Sequence, residues 1–207
     1  MFKYKYNVYH LKYMKDQIWE CKDNIDVYST LSEFEHEQIK NYVPIQPVTV
    51  LDLGCGLGRA SIYLNYILNR SDIHYILADT TGDTEITGGW DKQEFYNKMD
   101  LTASFCTLNN LLNIGLFDTQ RSDWDSLSNI DYVMSRCAFG MHFPIESIMD
   151  KLLKITTPNV TMIFGTRNRA VYSHESFKDL FKEVYFIEQE KQEPYPQQDW
   201  LILKGKI

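Results

Sequence analysis

No apolar run in this 207-residue chain approaches the roughly 18 residues needed to span a bilayer. The amino terminus, MFKYKYNVYHLKYMK, is basic and aromatic but has neither an apolar signal core nor a small-residue cleavage site. These absences argue against membrane insertion and secretion, and a cytoplasmic protein is expected. The four cysteines, Cys21, Cys55, Cys106 and Cys137, form no CxxC pair and no metal-ligand spacing. A disulfide framework and a zinc site are therefore not expected, and the thiols read as small fillers in a reducing compartment. Dense Lys/Arg clusters are missing too. With 21 basic against 28 acidic residues the net charge is −7, which argues against a surface that grips phosphate backbones. Repeats, low-complexity tracts and linkers are absent, and the length suits one α/β core.

What the chain does have is aromatic residues, 14 of them tyrosine, and a regular alternation of element types. Residues 1–45 read as a small N-terminal helical cap and residues 46–207 as one larger domain. In the cap, Thr30–Glu33 reads TLSE, the spacing of a capping box. The helix it would start runs toward Tyr42 and stops before Pro44. Val48–Gly54 is almost wholly apolar or β-branched, as a strand buried on both faces of a parallel sheet must be. A helix follows, with Ile62, Leu64, Ile67 and Leu68 turned inward, then a strand over Ile73–Asp79. After a weakly patterned stretch, a helix is predicted over Ala103–Asn113 and a short strand over Gly115–Asp118.

The next strand is Ile130–Arg136. The helix after it carries Ile145, Ile148, Met149, Leu152 and Leu153 at helical spacing, with Pro144 in its first turn. A strand over Val160–Thr166 leads to a helix predicted from Ser173, with Phe177, Leu180, Phe181 and Val184 on one face. Two strands, VYFIEQE and DWLILKG, close the chain. Their connection is too short for a crossover helix, so they should pair antiparallel. Such alternation predicts an α/β fold with a mostly parallel sheet covered by helices on both faces.

The chemistry concentrates at the first strand–helix turn, Asp52-Leu-Gly54-Cys55-Gly56-Leu-Gly58. Alternate glycines let a ligand approach the backbone closely, at the switch-point position where open α/β sheets bind nucleotides. The spacing is GxGxG, not the GxGxxG of nicotinamide and flavin sites, and an aspartate stands two residues before the first glycine. DLGCGLG resembles motif I of class I S-adenosylmethionine-dependent methyltransferases. Asp79, at the end of the second strand, matches the acidic residue that holds the two ribose hydroxyls in that family; a carboxylate can accept from both. The resemblance covers about residues 45–207. It implies a Rossmann-like seven-stranded sheet with one antiparallel strand and S-adenosyl-L-methionine as cofactor. The residues it assigns to the donor are Asp52, Gly54, Cys55, Gly56, Gly58, Asp79, Thr80, Asp118, Thr119 and Ser135. The adenine contact maps to Phe117, Asp118 and Thr119, with Asp123 or Trp124 as alternatives, and Phe117 reads equally well as core.

The acceptor side is expected beyond the fourth strand, in SRCAFGMHFPIES at Ser135–Ser147. This run is similar to the same region of small bacterial sugar O-methyltransferases, although Met141 stands where that group tends to have an aromatic residue. The matching residues are Phe139, Gly140, His142, Phe143, Pro144 and Ile145. His142 is the candidate base, since an alcohol acceptor must lose a proton and imidazole titrates near neutrality. Arg136 is the second candidate catalytic residue, able to hold a hydroxyl or a carboxylate. Trp90, in a Gly-rich lid segment at Thr80–Tyr96, and Arg167, after the fifth strand, are candidate substrate contacts. Metal-dependent catechol methylation needs clustered carboxylates where this chain has Ser135 and Arg136, so no metal is expected. The Asn/Asp-Pro-Pro-aromatic run of amide methylases is missing. The expected function is methyl transfer to a hydroxyl of a small molecule, a sugar or glycan among the options. RNA or protein methylation, or a non-enzymatic binding module, are the alternatives.

Overall fold

The computed structural model describes residues 2–17, 21–80, 99–166, 171–189 and 198–207. In chain order the elements are α1 (Val8–Gln17), α2 (Val27–Ile39), β1 (Thr49–Leu53), α3 (Arg59–Leu68), β2 (His74–Asp79), α4 (Met99–Leu108) and β3 (Ile114–Asp118). They continue with a 3-10 turn (Trp124–Ser126), β4 (Ile130–Ser135), α5 (Glu146–Ile155), β5 (Thr156–Thr166), β6 (Phe181–Ile187) and β7 (Asp199–Lys206). The seven strands form one sheet in the order β3-β2-β1-β4-β5-β7-β6. β7 runs antiparallel to both β5 and β6, while the pairs among β1 to β5 are parallel. Order reverses at β1 and β4, so the carboxyl ends of these two strands flank the crevice where such sheets hold ligands.

Side chains alternate between the two faces of each strand, and each face has its own core. Val50, Tyr75, Leu77, Tyr132, Met134, Ile163 and Ile202 pack with α3, α4 and the N-terminal segment, including Tyr4, Tyr13, Met14, Tyr28 and Ile39. Leu51, Leu53, Val133, Met162, Phe164 and Leu201 pack with α5, Trp124 and Tyr172. The N-terminal helices thus share one core with α3, the helix that follows the glycine loop. Among the described residues no helix is long and apolar enough to cross a membrane.

Three elements differ from the sequence-based expectation. The capping box does not form. α2 begins at Val27, and the Thr30 hydroxyl lies inside the helix, bonding back to the Val27 carbonyl at 3.3 Å. Glu33 instead accepts the Phe2 backbone N–H at 3.0 Å. An earlier turn starts the helix: the Asn24 side chain accepts the Asp26 N–H at 3.1 Å. The predicted helix over Ala103–Asn113 is shifted toward the N-terminus and ends at Leu108, where Asn110 takes a left-handed conformation with φ +61°. The third difference is the largest. The helix expected from Ser173 is absent: residues 171–180 are turns and the chain enters β6 at Phe181. Ser173 does accept the Glu175 N–H, as a cap would, but Phe177 sits at φ +63° and cannot continue a helix. The apolar positions read as a helix face are taken over by cross-strand pairing, Phe181 with Lys206 and Val184 with Leu203.

Candidate active site

β1 delivers the glycine loop and β2 delivers Asp79 beside it. Gly54, Gly56 and Gly58 all have positive φ, at +67°, +54° and +79°. The Gly54 and Cys55 amides both bond to the Ala78 carbonyl, at 2.8 and 3.2 Å, which ties the loop to the end of β2. Gly54 is required for a second reason: a Cβ there would stand 2.1 Å from Cβ of Ala138, in the segment after β4. Two groups that periodicity does not mark hold the loop from α4. The Thr102 hydroxyl donates to the Gly56 carbonyl at 2.6 Å, and the Cys106 thiol contacts the Leu57 carbonyl at 3.8 Å. Cys55 is buried inside the turn, and burial pushes its thiol pKa well up, so it stays protonated.

The Asp79 carboxylate takes one backbone N–H on each oxygen, from Gly56 and from Thr80, both at 2.8 Å. Each oxygen keeps lone pairs for further donors. The Thr80 and Thr119 hydroxyls bond to one another at 3.0 Å, and the Thr119 N–H donates to the Asp79 carbonyl at 2.9 Å. The ends of β2 and β3 are therefore stitched together at this corner. Asp118 uses Oδ1 to accept the Gln120 and Arg121 amides, while its Oδ2 is buried without a hydrogen-bond partner among the described residues. Phe117 is core: it is 4% exposed and packs edge-on against Trp124 at 5.0 Å. Asp123 caps the 3-10 turn by accepting the Asp125 N–H. Asp52 is 2% exposed and accepts from the Ser61 hydroxyl at 2.8 Å.

On the other side of the crevice, Ser135 is committed at both ends. Its hydroxyl donates to the Leu53 carbonyl at 2.8 Å and accepts the Phe139 N–H at 3.0 Å, which positions the segment after β4 against β1. Arg136 is buried, with its guanidinium 5.2 Å from the Trp200 ring centroid. Its Nε and Nη1 are buried and have no hydrogen-bond partner among the described residues. Its backbone carbonyl accepts from Gln198 at 2.7 Å, filling the space a side chain at Gly165 would need. Trp200 and Gln198, at the start of β7, and His36 and Gln38 on α2 were not marked by any sequence pattern. Gln38 accepts the Trp200 indole N–H. Burial and then the Arg136 charge lower the His36 pKa to about 4. His142 lies in a tight turn in which the amides of Met141, His142 and Phe143 all face the Ala138 carbonyl, and its side chain is exposed. Trp90 and Arg167 lie outside the described residues.

The donor set fits S-adenosylmethionine. The cradle has three left-handed glycines, a carboxylate with lone pairs to spare beside it, and at the β3 end the Asp118 Oδ2, which is buried with no hydrogen bond among the described residues and 3.8 Å from the Arg121 Nε. Burial raises Asp79 to about 7, more than the Gly56 and Thr80 amides lower it, and burial likewise raises Asp52 to about 6. With the ribose hydroxyls on Asp79, as the motif resemblance implies, the ionised carboxylate is the better acceptor. Affinity for S-adenosylhomocysteine, the donor's demethylated product, should therefore be flat above pH 7 and weaken by up to about tenfold per unit below it. Calorimetric titration from pH 8 to pH 5.5 measures this, and an Asp79→Asn variant should lose most of the pH dependence.

Residues 18–135, more than half of the chain, match the family described as Tellurite resistance protein TehB. No curated protein matches the chain in sequence. Among solved structures it is similar to an S-adenosylmethionine-dependent methyltransferase from Aquifex aeolicus, with 16% identity, TM-score 0.58, and 98% of this chain and 100% of that one covered. It is also similar to the O-methyltransferase TomG of Streptomyces achromogenes, solved in complex with S-adenosylmethionine, with 13% identity, TM-score 0.57 and coverage of 98% and 92%. A third is a precorrin-6y C5,15-methyltransferase from Geobacter metallireducens, with 14% identity, TM-score 0.58 and coverage of 84% and 88%. At these identities the three likenesses speak for the fold.

Proposed function

The chain belongs to the tellurite resistance protein TehB family and is an S-adenosylmethionine-dependent methyltransferase, and within that class we propose that it methylates a hydroxyl of a small molecule, sugars among the acceptors, in the crevice beside Arg136. The observation that carries this reading is the buried Arg136 guanidinium, with Nε and Nη1 unpartnered among the described residues. A buried donor without a partner costs free energy, and a charged one costs more. Such a group at the carboxyl end of β4 is matched by an oxygen-rich ligand. The cofactor supplies an electrophilic methyl group on a sulfonium.

The protein's own work is to hold the acceptor oxygen in line, exclude water and take the proton. In this reading Asp79, Thr80, Asp118 and Thr119 hold the nucleoside end. Asp52, Gly54, Cys55, Gly56 and Gly58 shape the cradle, and Ser135 braces it. Arg136 anchors the acceptor and His142 accepts its proton, with Trp90 and Arg167 as further acceptor contacts.

The family's description names tellurite resistance, and that favours a second reading. A guanidinium suits an inorganic oxyanion as well as an organic oxygen, so tellurite itself is an acceptor to test. Purified protein should be offered monosaccharides, simple alcohols, phenols and sodium tellurite, with labelled methyl donor and detection of both soluble and volatile products. Arg136→Lys and His142→Ala should bind S-adenosylhomocysteine within about twofold of wild type, while His142→Ala slows turnover of a hydroxyl acceptor about 100-fold. Unchanged turnover in both variants would sink these assignments. Labelled methyl on tellurium, found in solution as a methylated oxyanion or in the headspace only when a thiol reductant is also supplied, would favour the oxyanion.

A further inference from the structure

Arg59 is the first residue of α3 and directly follows Gly58. Its side chain leaves the donor loop and is buried against the N-terminal cap. Nη2 donates to Glu35 Oε1 at 2.9 Å, and Nη1 donates to the Ser32 hydroxyl at 3.0 Å. The two charged side chains are only 8% and 3% exposed, and the guanidinium lies 5.7 Å from the Tyr28 ring centroid. The backbone of the same residue is also held: the Tyr4 hydroxyl donates to the Arg59 carbonyl at 2.8 Å and bonds to Ser32 at 2.8 Å. Tyr4 is fixed in turn by its N–H to the Ser29 hydroxyl, and Lys5 exchanges two hydrogen bonds with the Asn109 side chain at the end of α4.

The N-terminal segment therefore grips the residue where the loop becomes a helix, at its side chain and at its carbonyl. A buried ion pair is weak evidence for added stability, because desolvation offsets most of the attraction. What it does supply here is a single arrangement of α2 against α3. Moving Arg59 moves the Gly58 peptide, and with it the turn whose Gly56 amide serves the Asp79 carboxylate.

We propose that Glu35, Arg59 and Tyr4 are positioning residues for the methyl donor: the docked N-terminal cap holds the glycine loop in its binding shape, and donor binding in turn tightens the cap. By linkage, the coupling must act equally in both directions. The test uses the 207-residue chain, with S-adenosylhomocysteine as the probe. Affinity is measured by calorimetry, and exchange of the α2 amides is followed with and without the probe.

Glu35→Gln should weaken binding about tenfold and Tyr4→Phe about threefold, and the probe should slow α2 exchange about fivefold in wild type and less in either variant. Arg59→Lys keeps the charge but cannot reach both Glu35 and Ser32, and should fall between Glu35→Gln and wild type. A brace that only supports the fold would lower the melting temperature of the free protein and leave affinity alone. Folded variants that bind within twofold of wild type, or α2 exchange unaltered by the probe, therefore overturn the proposal. Should Glu35→Gln not fold, Tyr4→Phe, which removes one hydroxyl, decides it on the same two readouts.

Discussion

Gly54→Ala is expected to remove donor binding almost entirely. Two penalties add. The position has φ +67°, which costs an L-residue about 1–2 kcal/mol. The new methyl would also lie 2.1 Å from Cβ of Ala138, and forcing a methyl into a packed site costs about 1–3 kcal/mol more. The strain falls on the contact between the glycine loop and the segment after β4, so the loop should give way before the sheet does. Affinity for S-adenosylhomocysteine should drop by about 100-fold or more, with a melting temperature several degrees lower. The pair of causes can be separated. Adding Ala138→Gly relieves the clash and not the φ strain, so the double variant should recover part of the loss. No recovery would mean that the approach of Ala138 is unimportant and that φ alone dictates glycine.

Asp79→Ala should be as damaging to binding. Removing the carboxylate deletes the acceptor proposed for the ribose hydroxyls and leaves the buried Gly56 N–H without its 2.8 Å partner. Hydrogen bonds to charged groups contribute about 1.5–3 kcal/mol each, so affinity should fall about 100-fold or more. Asp79→Asn should retain more binding, since an amide oxygen still accepts. The folded carboxyl titrates at about 7, above its ordinary value of 3.8, because burial disfavours the charge. Its contribution to stability is therefore fully present at low pH and is lost as pH rises from about 4 through 7. Asp79→Asn carries no charge to bury, so at pH 8 the free variant should melt at or above the wild-type temperature, and the difference should close in acid. Binding that survives Asp79→Ala would remove this residue from the donor site.

The glycine loop and the carboxylate beside it were legible because their signals are local and dense. Asp52 and the three glycines sit within seven residues, after a strand whose burial on both faces leaves an unmistakable apolar run. Asp79 follows at the end of the next such strand. The acceptor half was only partly legible. Arg136 was proposed from its place after β4, but its burial without hydrogen bonds at Nε and Nη1 among the described residues, over the ring of Trp200 64 residues later, comes only from the tertiary structure. The false helix after Ser173 shows the limit of periodicity. Phe177, Leu180, Phe181 and Val184 satisfy helical spacing, yet pairing with β7 recruits the second half of that run into β6. Short apolar runs fit either period, and the neighbouring strand decides.

The sequence by itself determined the fold class, the glycine loop after β1, the methyl-donor cofactor, and the antiparallel closing pair, since each rests on residues close together in the chain or on a strand's own burial pattern. Only the tertiary structure decided that Thr102 holds the Gly56 carbonyl, that Ser135 is spent on bracing β1, and that Tyr4, Ser32 and Glu35 converge on Arg59. These contacts join residues 24 to 82 positions apart. Hydrophobic periodicity reports which face of an element is buried. It carries no information about which distant hydroxyl or carboxylate meets that face, and that follows only once two layers of helices have packed on the same sheet.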